Sequence, residues 1–175
     1  MNIILIGMPG CGKSTAGVLA AKAMCMQFID TDLLLQHAGH AKLQTIINTK
    51  GLDFFLKLEE KVLTSLSCEN SVISTGGSAV YYESAMAHLR SIGKVVYLRL
   101  TYEEMSARIH NLATRGIAMK EGMTLRDMYE ERRPLYEKYA DFIIDCDGGT
   151  VEQTVAAICA ATNPGSAGGA AHPIK

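Results

Sequence analysis

The sequence predicts a doubly wound α/β domain, a parallel five-stranded sheet between two layers of helices. Three observations predict it. Short apolar runs rich in Ile and Val recur along the chain, longer amphipathic stretches alternate with them, and a glycine-rich segment joins the first run to the first stretch. Most of the runs lack polar alternation, as strands buried on both faces do.

Taken in order, "NIILI" (Asn2–Ile6) is the first strand and 13–24 the first helix. "QFID" (Gln27–Asp30) is the second strand, and the next amphipathic stretch covers 51–67. "SVIST" (71–75) and "KVVYLRL" (94–100) flank a helix at 84–90. Helices at 101–113 and 124–139 lead to "DFIID" (141–145), and 151–161 forms the last helix. Thr101 stands three residues before Glu104 and Thr124 three before Asp127, the spacing of a capping box or its shorter relative. Strand–helix–strand repetition requires right-handed crossovers and hence a parallel sheet. The domain is expected over 1–162. Within it 113–124, "ATRGIAMKEGMT", has two glycines and little apolar pattern, the composition of a mobile lid. The Gly/Ala/Pro-rich stretch 163–175 is expected to be a flexible tail.

Composition narrows the function. A chain of 175 residues is close to one domain's worth, and 48% hydrophobic against 20% charged residues marks it as globular rather than disordered. The net charge of -1 argues against a nucleic-acid partner, and no apolar segment has the length of a membrane span. The opening apolar run has no basic flank and stops at Gly7, unlike a signal peptide. The 5 cysteines are scattered without a C-x-x-C pair, so free thiols in a reducing cytoplasm are expected, not disulfides or zinc. A monomer is expected.

"GMPGCGKST" (7–15) matches G-x-x-x-x-G-K-[ST] without a gap. Its glycines let the backbone curl so that successive N–H groups surround a phosphate, and the following helix adds the positive end of its dipole. Lys13 is placed to bridge β- and γ-phosphates, and the Ser14 hydroxyl to reach a magnesium ion. The strand before and the helix after are the context this motif requires.

In open α/β sheets ligands collect beyond the carboxyl ends of the strands, so the acceptor of the phosphoryl group is sought there. The second strand ends in "DTD". Asp30 and Asp32 either divide metal and acceptor duties or act as a helix cap and a solvated first-turn acid. The third ends in "STGGSAV", where Gly76 and Gly77 either admit a ligand to the backbone or form a plain turn. "RRPLYEKYAD" offers Arg132 and Arg133, with Arg133 also able to pair with Glu130 on an exposed face. Arg115 in the lid segment is placed to close over phosphates.

The order and spacing of "GMPGCGKST", "FIDTDLLL", "STGG", the lid arginine and "RRPLYEKYAD" resemble the shikimate kinase family, from the first strand to about Ala161. The resemblance implies the three-layer α/β/α P-loop kinase fold. It also implies ATP-dependent transfer of the γ-phosphoryl group to the 3-hydroxyl of shikimate, a cyclic hydroxylated carboxylic acid on the route to aromatic amino acids, with Mg²⁺. By position, Gly10, Cys11, Gly12, Lys13, Ser14 and Thr15 hold the phosphates, and Ser14 and Asp30 serve the metal. Lys13, Asp32 and Arg115 are catalytic. Asp32, Gly76, Gly77 and Arg132 bind the acceptor, Arg108 packs against adenine, and Arg115 meets the phosphates.

Three positions depart from the family pattern. "FLKLE" (55–59) has Leu56 where F-R-x-x-E supplies a second carboxylate-binding arginine, Ser78 replaces a third glycine, and the lid reads "RGIA" in place of Arg-Pro-Leu-Leu. Losing one of two charge-assisted clamps predicts roughly ten- to a hundredfold weaker binding of shikimate. Lys57 is no substitute, because neighbours on a helix point about 100° apart. Two further readings follow from these departures: a related kinase with another acceptor, or a nucleotide-binding protein that performs no transfer.

Overall fold

The computed structural model describes residues 1–109 and 117–163. Five parallel strands form one sheet in the order β2-β3-β1-β4-β5. They are β1 (Asn2–Ile6), β2 (Gln27–Asp30), β3 (Ser71–Ser74), β4 (Gly93–Arg99) and β5 (Phe142–Asp145). β1 is central, and all five of its residues are buried. Each buried Ile or Leu there removes enough apolar surface from water to contribute about 1.5–3 kcal/mol. Asn2 is the polar exception at the strand's start. Its amide donates to the carbonyls of Cys68 and Ile92 and accepts from the N–H of Ser71, so one side chain ties β1 to β3 and to the entry of β4.

The helices among the described residues are α1 (Lys13–Ala23), α2 (Thr31–Gly39), α3 (Leu43–Lys50), α4 (Leu52–Thr64), α5 (Glu83–Ile92), α6 (Tyr102–Ile109), α7 (Leu125–Tyr139) and α8 (Val151–Thr162), with a 3₁₀ turn at Ala79–Tyr81. The expected strands are all present. The stretch expected as helix over 51–67 begins at Leu52, because Gly51 has φ 85° and cannot be helical, and ends at Thr64. α3 has no counterpart among the sequence expectations, and α2 is anticipated only at its start, through Asp30 as a helix cap. In α2 three leucines run consecutively and only Leu35 is buried, so no apolar stripe marks it. α3 has 8 residues and only Leu43 and Ile46 buried.

Register brings the working ends together. Asp30 pairs with Ser74 across β2 and β3, and Leu5 of β1 also pairs with Ser74. The carboxyl ends of β1, β2 and β3 therefore open on one crevice, where the chain order switches from β1 to its neighbours. α2, α3 and α4 stand over one side of it around a separate small apolar cluster of Leu35, Leu43, Ile46, Phe55 and Ala118. α7 reaches it from the opposite direction, started by a capping box in which Thr124 and Asp127 exchange hydrogen bonds.

Candidate active site

The loop after β1 is built around glycine. Gly7, Gly10 and Gly12 have φ of 148°, 80° and 90°, which side-chain-bearing residues rarely adopt. A Cβ on Gly7 would also strike the Leu98 carbonyl and the Cys11 sulfur. Gly12 caps α1 with no side-chain hydrogen bond, whereas α7 and α8 carry full capping boxes. The first-turn N–H groups of α1 are thus left for an external acceptor, and an anion suits them. Lys13 is buried beside them, donating to the carbonyls of Gly7 at 2.8 Å and Met8 at 2.9 Å and to the Cys11 sulfur at 3.5 Å. It needs only to exchange these acceptors for phosphate oxygens. Cys11 turns the other way. Its thiol is buried in the main core and its N–H closes a turn on the Met8 carbonyl at 3.2 Å, so its part is to shape the loop.

Ser14 and Asp30 meet directly, Oγ donating to Oδ2 at 2.7 Å. The other Asp30 oxygen accepts the N–H of Asp32 at 3.0 Å and caps α2. The helix-cap reading of Asp30 therefore holds through Oδ1, while Oδ2 faces the Ser14 hydroxyl. A hydroxyl and a carboxylate this close suit a hard divalent cation that takes its remaining ligands from phosphate and water. The described residues contain no cluster of three or more His, Cys, Asp or Glu able to enclose a metal.

A cavity of about 260 Å³ runs from this loop to Arg132, a size for a small molecule and the ends of a nucleotide rather than a polymer. It is lined by Gly10, Gly12, Lys13, Ser14, Thr15 and Arg108 at one end and by Asp32, Gly76, Gly77 and Arg132 toward the other. Arg108 is fixed at the end of α6, by Glu104 at 3.1 Å and the Cys146 carbonyl at 3.3 Å. Gly76 and Gly77 have different parts. The N–H of Gly76 donates to the Thr31 hydroxyl at 3.2 Å, so this residue offers the ligand space and not a donor. The Gly77 carbonyl is held by the Tyr136 hydroxyl at 2.6 Å, and a Cβ on Gly77 would come within 3.1 Å of Arg132 Nη1.

Arg132 is 1% exposed. Its Nε donates to the Tyr81 hydroxyl at 3.0 Å and its Nη2 to the Ala118 carbonyl. No carboxylate lies within ion-pair distance of it among the described residues. Arg133, by contrast, is exposed and pairs with Glu130 at 3.6 Å, the solvent-face reading. Leu56 packs with the small apolar cluster between α2, α3 and α4, and Lys57 is exposed, so neither supplies the second arginine's charge. Arg115 and the first part of the lid segment, 113–116, lie outside the described residues, as do all but the first residue of the expected tail.

Glu59 is the residue that sequence reasoning missed. It lines the same cavity from α4 and is fully buried. Its Oε2 accepts from Ser78 Oγ at 2.5 Å and from the Tyr82 hydroxyl at 3.4 Å, while Oε1 has no hydrogen-bond partner among the described residues. Burial pushes its carboxyl up to about 7, against the opposing Ser78 hydrogen bond, and nearby Asp32 adds to the rise. The signal was available: Phe55, Glu59 and Leu63 are the buried residues of α4, spaced i, i+4, i+8, so an acid occupies the apolar stripe.

A nucleotide-phosphate loop and a neighbouring anion-seeking cavity on a parallel sheet define the class: a P-loop kinase for small molecules. The shikimate kinase family model matches residues 9–163. Shikimate kinases from Francisella tularensis subsp. holarctica and Vibrio parahaemolyticus are each 34% identical, covering 88% and 83% of this chain and 90% and 87% of theirs. In three dimensions the chain is similar to shikimate kinase from Acinetobacter baumannii in complex with shikimate, with TM-score 0.83 and 30% identity over 90% of this chain and 89% of that one. The Aquifex aeolicus shikimate kinase gives 0.82 and 32% over 97% and 100%. Deoxyadenosine kinase from M. mycoides, at 16% identity and TM-score 0.56 over 93% and 100%, shares the fold. The chain belongs to the shikimate kinase family and is an ATP-dependent phosphotransferase with an alcohol group as acceptor.

Proposed function

We propose that the chain transfers the γ-phosphoryl group of ATP, as its magnesium complex, to the 3-hydroxyl of shikimate. The observation that carries this reading is Arg132, a buried guanidinium without a carboxylate partner among the described residues, in the same cavity as the phosphate loop. An unpaired buried charge is costly, and the carboxylate of a small acid offsets that cost.

In this reading the loop N–H groups and Lys13 hold the β- and γ-phosphates, and Ser14 and Asp30 hold the ion. Mg²⁺, when bound, offsets negative charge on those phosphates. Arg132 anchors the acid, and the Gly77 backbone contacts it. Asp32 lines the same cavity as the phosphate loop and Arg132, so its carboxylate orients the attacking hydroxyl and takes its proton as oxygen bonds to phosphorus and the bond to ADP breaks. Arg108 packs against the adenine, and Arg115, with the lid at about 113–124, closes on the phosphates. The setting belongs to the same proposal: a monomer, in the cytoplasm, with one domain over 1–162. An ADP-release assay with shikimate, quinate and gluconate tests it. Turnover with shikimate well above the other two is expected, and none with shikimate rejects the acceptor.

The apolar packing of Leu56 favours a second reading, a related acid whose carboxylate needs one arginine. Leu56→Arg separates them: a lower KM for shikimate supports the first, and a fall in activity on the native acceptor supports the second.

A further inference from the structure

Two departures from the family pattern meet at one side chain. Position 56 is three residues before Glu59 on α4, the spacing at which an arginine and a glutamate pair, and it holds Leu. Position 78 holds Ser where the pattern has glycine, and its hydroxyl is on Glu59 Oε2 at 2.5 Å. Leu56 therefore offers Glu59 no charge from three residues back, and the hydroxyl of Ser78 is its closest polar contact. From the surrounding elements, Asp32 of α2 opposes ionisation, while Arg132 of α7 and the hydroxyls of Ser78 and Tyr82 favour it. Burial outweighs the favourable contributions, and the carboxyl holds its proton to about pH 7.

The position of that proton follows from the hydrogen bonds. Both neighbouring hydroxyls donate to Oε2, which marks it as the carbonyl-like oxygen and leaves the proton on Oε1. Oε1 is buried, has no hydrogen-bond partner among the described residues, and lies against Gly76. Oε1 and Asp32 Oδ1 both lie within 3.2 Å of the point a Cβ on Gly76 would occupy. Gly76, Asp32 and Glu59 all line the acceptor cavity. A buried O–H without an acceptor, beside the residue that orients the attacking hydroxyl, lacks only a ligand oxygen.

We propose that Glu59, positioned by Ser78, is a specificity-determining residue of the acceptor site, donating one neutral hydrogen bond from Oε1 to the bound hydroxy acid while Arg132 alone supplies the charge. This rests on the acceptor reading above. It selects acids that present an oxygen to a donor near Gly76, and it makes acceptor binding depend on a proton that no arginine clamp needs.

The test is KM and kcat for shikimate from pH 6 to 8.5 at saturating MgATP. Wild type is expected to show KM rising toward tenfold per pH unit above the ionisation of Glu59, with no matching inflection in kcat. Glu59→Gln, which keeps a donor at that position, is expected to have a flat KM, lower than wild type at pH 8. Ser78→Ala removes a bond that favours the ionised form, so the inflection moves to higher pH. A flat wild-type KM with normal turnover, or an unmoved inflection in Ser78→Ala, overturns the assignment of Glu59 alone. Absence of shikimate turnover at every pH overturns the acceptor and this assignment together.

Discussion

Lys13 and Arg132 are both buried cations, yet the sequence around them gives them opposite tasks. Lys13 is held by two carbonyls and a sulfur inside a glycine loop, all neutral acceptors that it can exchange for phosphate without breaking an ion pair. Its removal takes a charge from the transferring group, so Lys13→Ala is expected to lower kcat about a hundredfold or more. Single-turnover ADP release measures this, and an unchanged kcat refutes it. Arg132 is fixed by Tyr81 and Ala118, and in the proposed reading it anchors the acceptor. Arg132→Ala loses a charge-assisted contact worth roughly 1.5–3 kcal/mol, which predicts KM for the acid about ten- to a hundredfold higher with MgATP affinity unchanged. A rise in the KM for ATP instead places Arg132 at the wrong end of the cavity.

Elements carry these residues, and their ends matter more than their middles. α7 presents Arg132 and Tyr136 from a start fixed by Thr124 and Asp127, directly after the lid segment. Asp127 titrates below the usual carboxylate range because the Thr124 side chain and backbone donate to it. Thr124→Ala removes the reciprocal cap and is expected to cost about 1 kcal/mol, read as a lower urea midpoint with unchanged slope. This cap was legible in the sequence, as were the strands, because β1 after Asn2 and the middle of β4 (Val95 to Leu98) are unbroken apolar runs and nothing in them suggests another period. The cap of α2 is one of two sequence readings of Asp30, but the extent of the helix was illegible for a physical reason: Asp30 both ends β2 and caps the helix, leaving no linker to mark the change. In α4 the stripe was plain, but an acid within it reads as a solvent face until burial is known.

At the scale of the whole molecule, Glu59 couples the acceptor cavity to folding. In the unfolded chain its carboxyl ionises near 4.5, and in the folded protein near 7, chiefly because burial penalises the charge. Between those values the folded protein retains a proton that the unfolded chain has released, so stability falls as pH rises. The contribution is complete below about 4.5 and lost by the time pH has passed through about 7. A gap of this size corresponds to a loss on the order of 3 kcal/mol, a sizeable share of the roughly 5–15 kcal/mol that holds a typical domain together. Glu59→Gln keeps an acceptor for Ser78 and cannot ionise. Urea unfolding at pH 5 and pH 8 is therefore expected to give two proteins of similar stability at the lower pH. At the higher pH the variant should be the more stable one, a reversal of the usual penalty for altering a fully buried polar group. A wild-type chain at least as stable as the variant at pH 8 shows instead that Glu59 is ionised and well paired in the folded state, with Oε1 already satisfied. In that case Ser78 has replaced the missing arginine in full, and the acceptor site does not depend on the Glu59 proton.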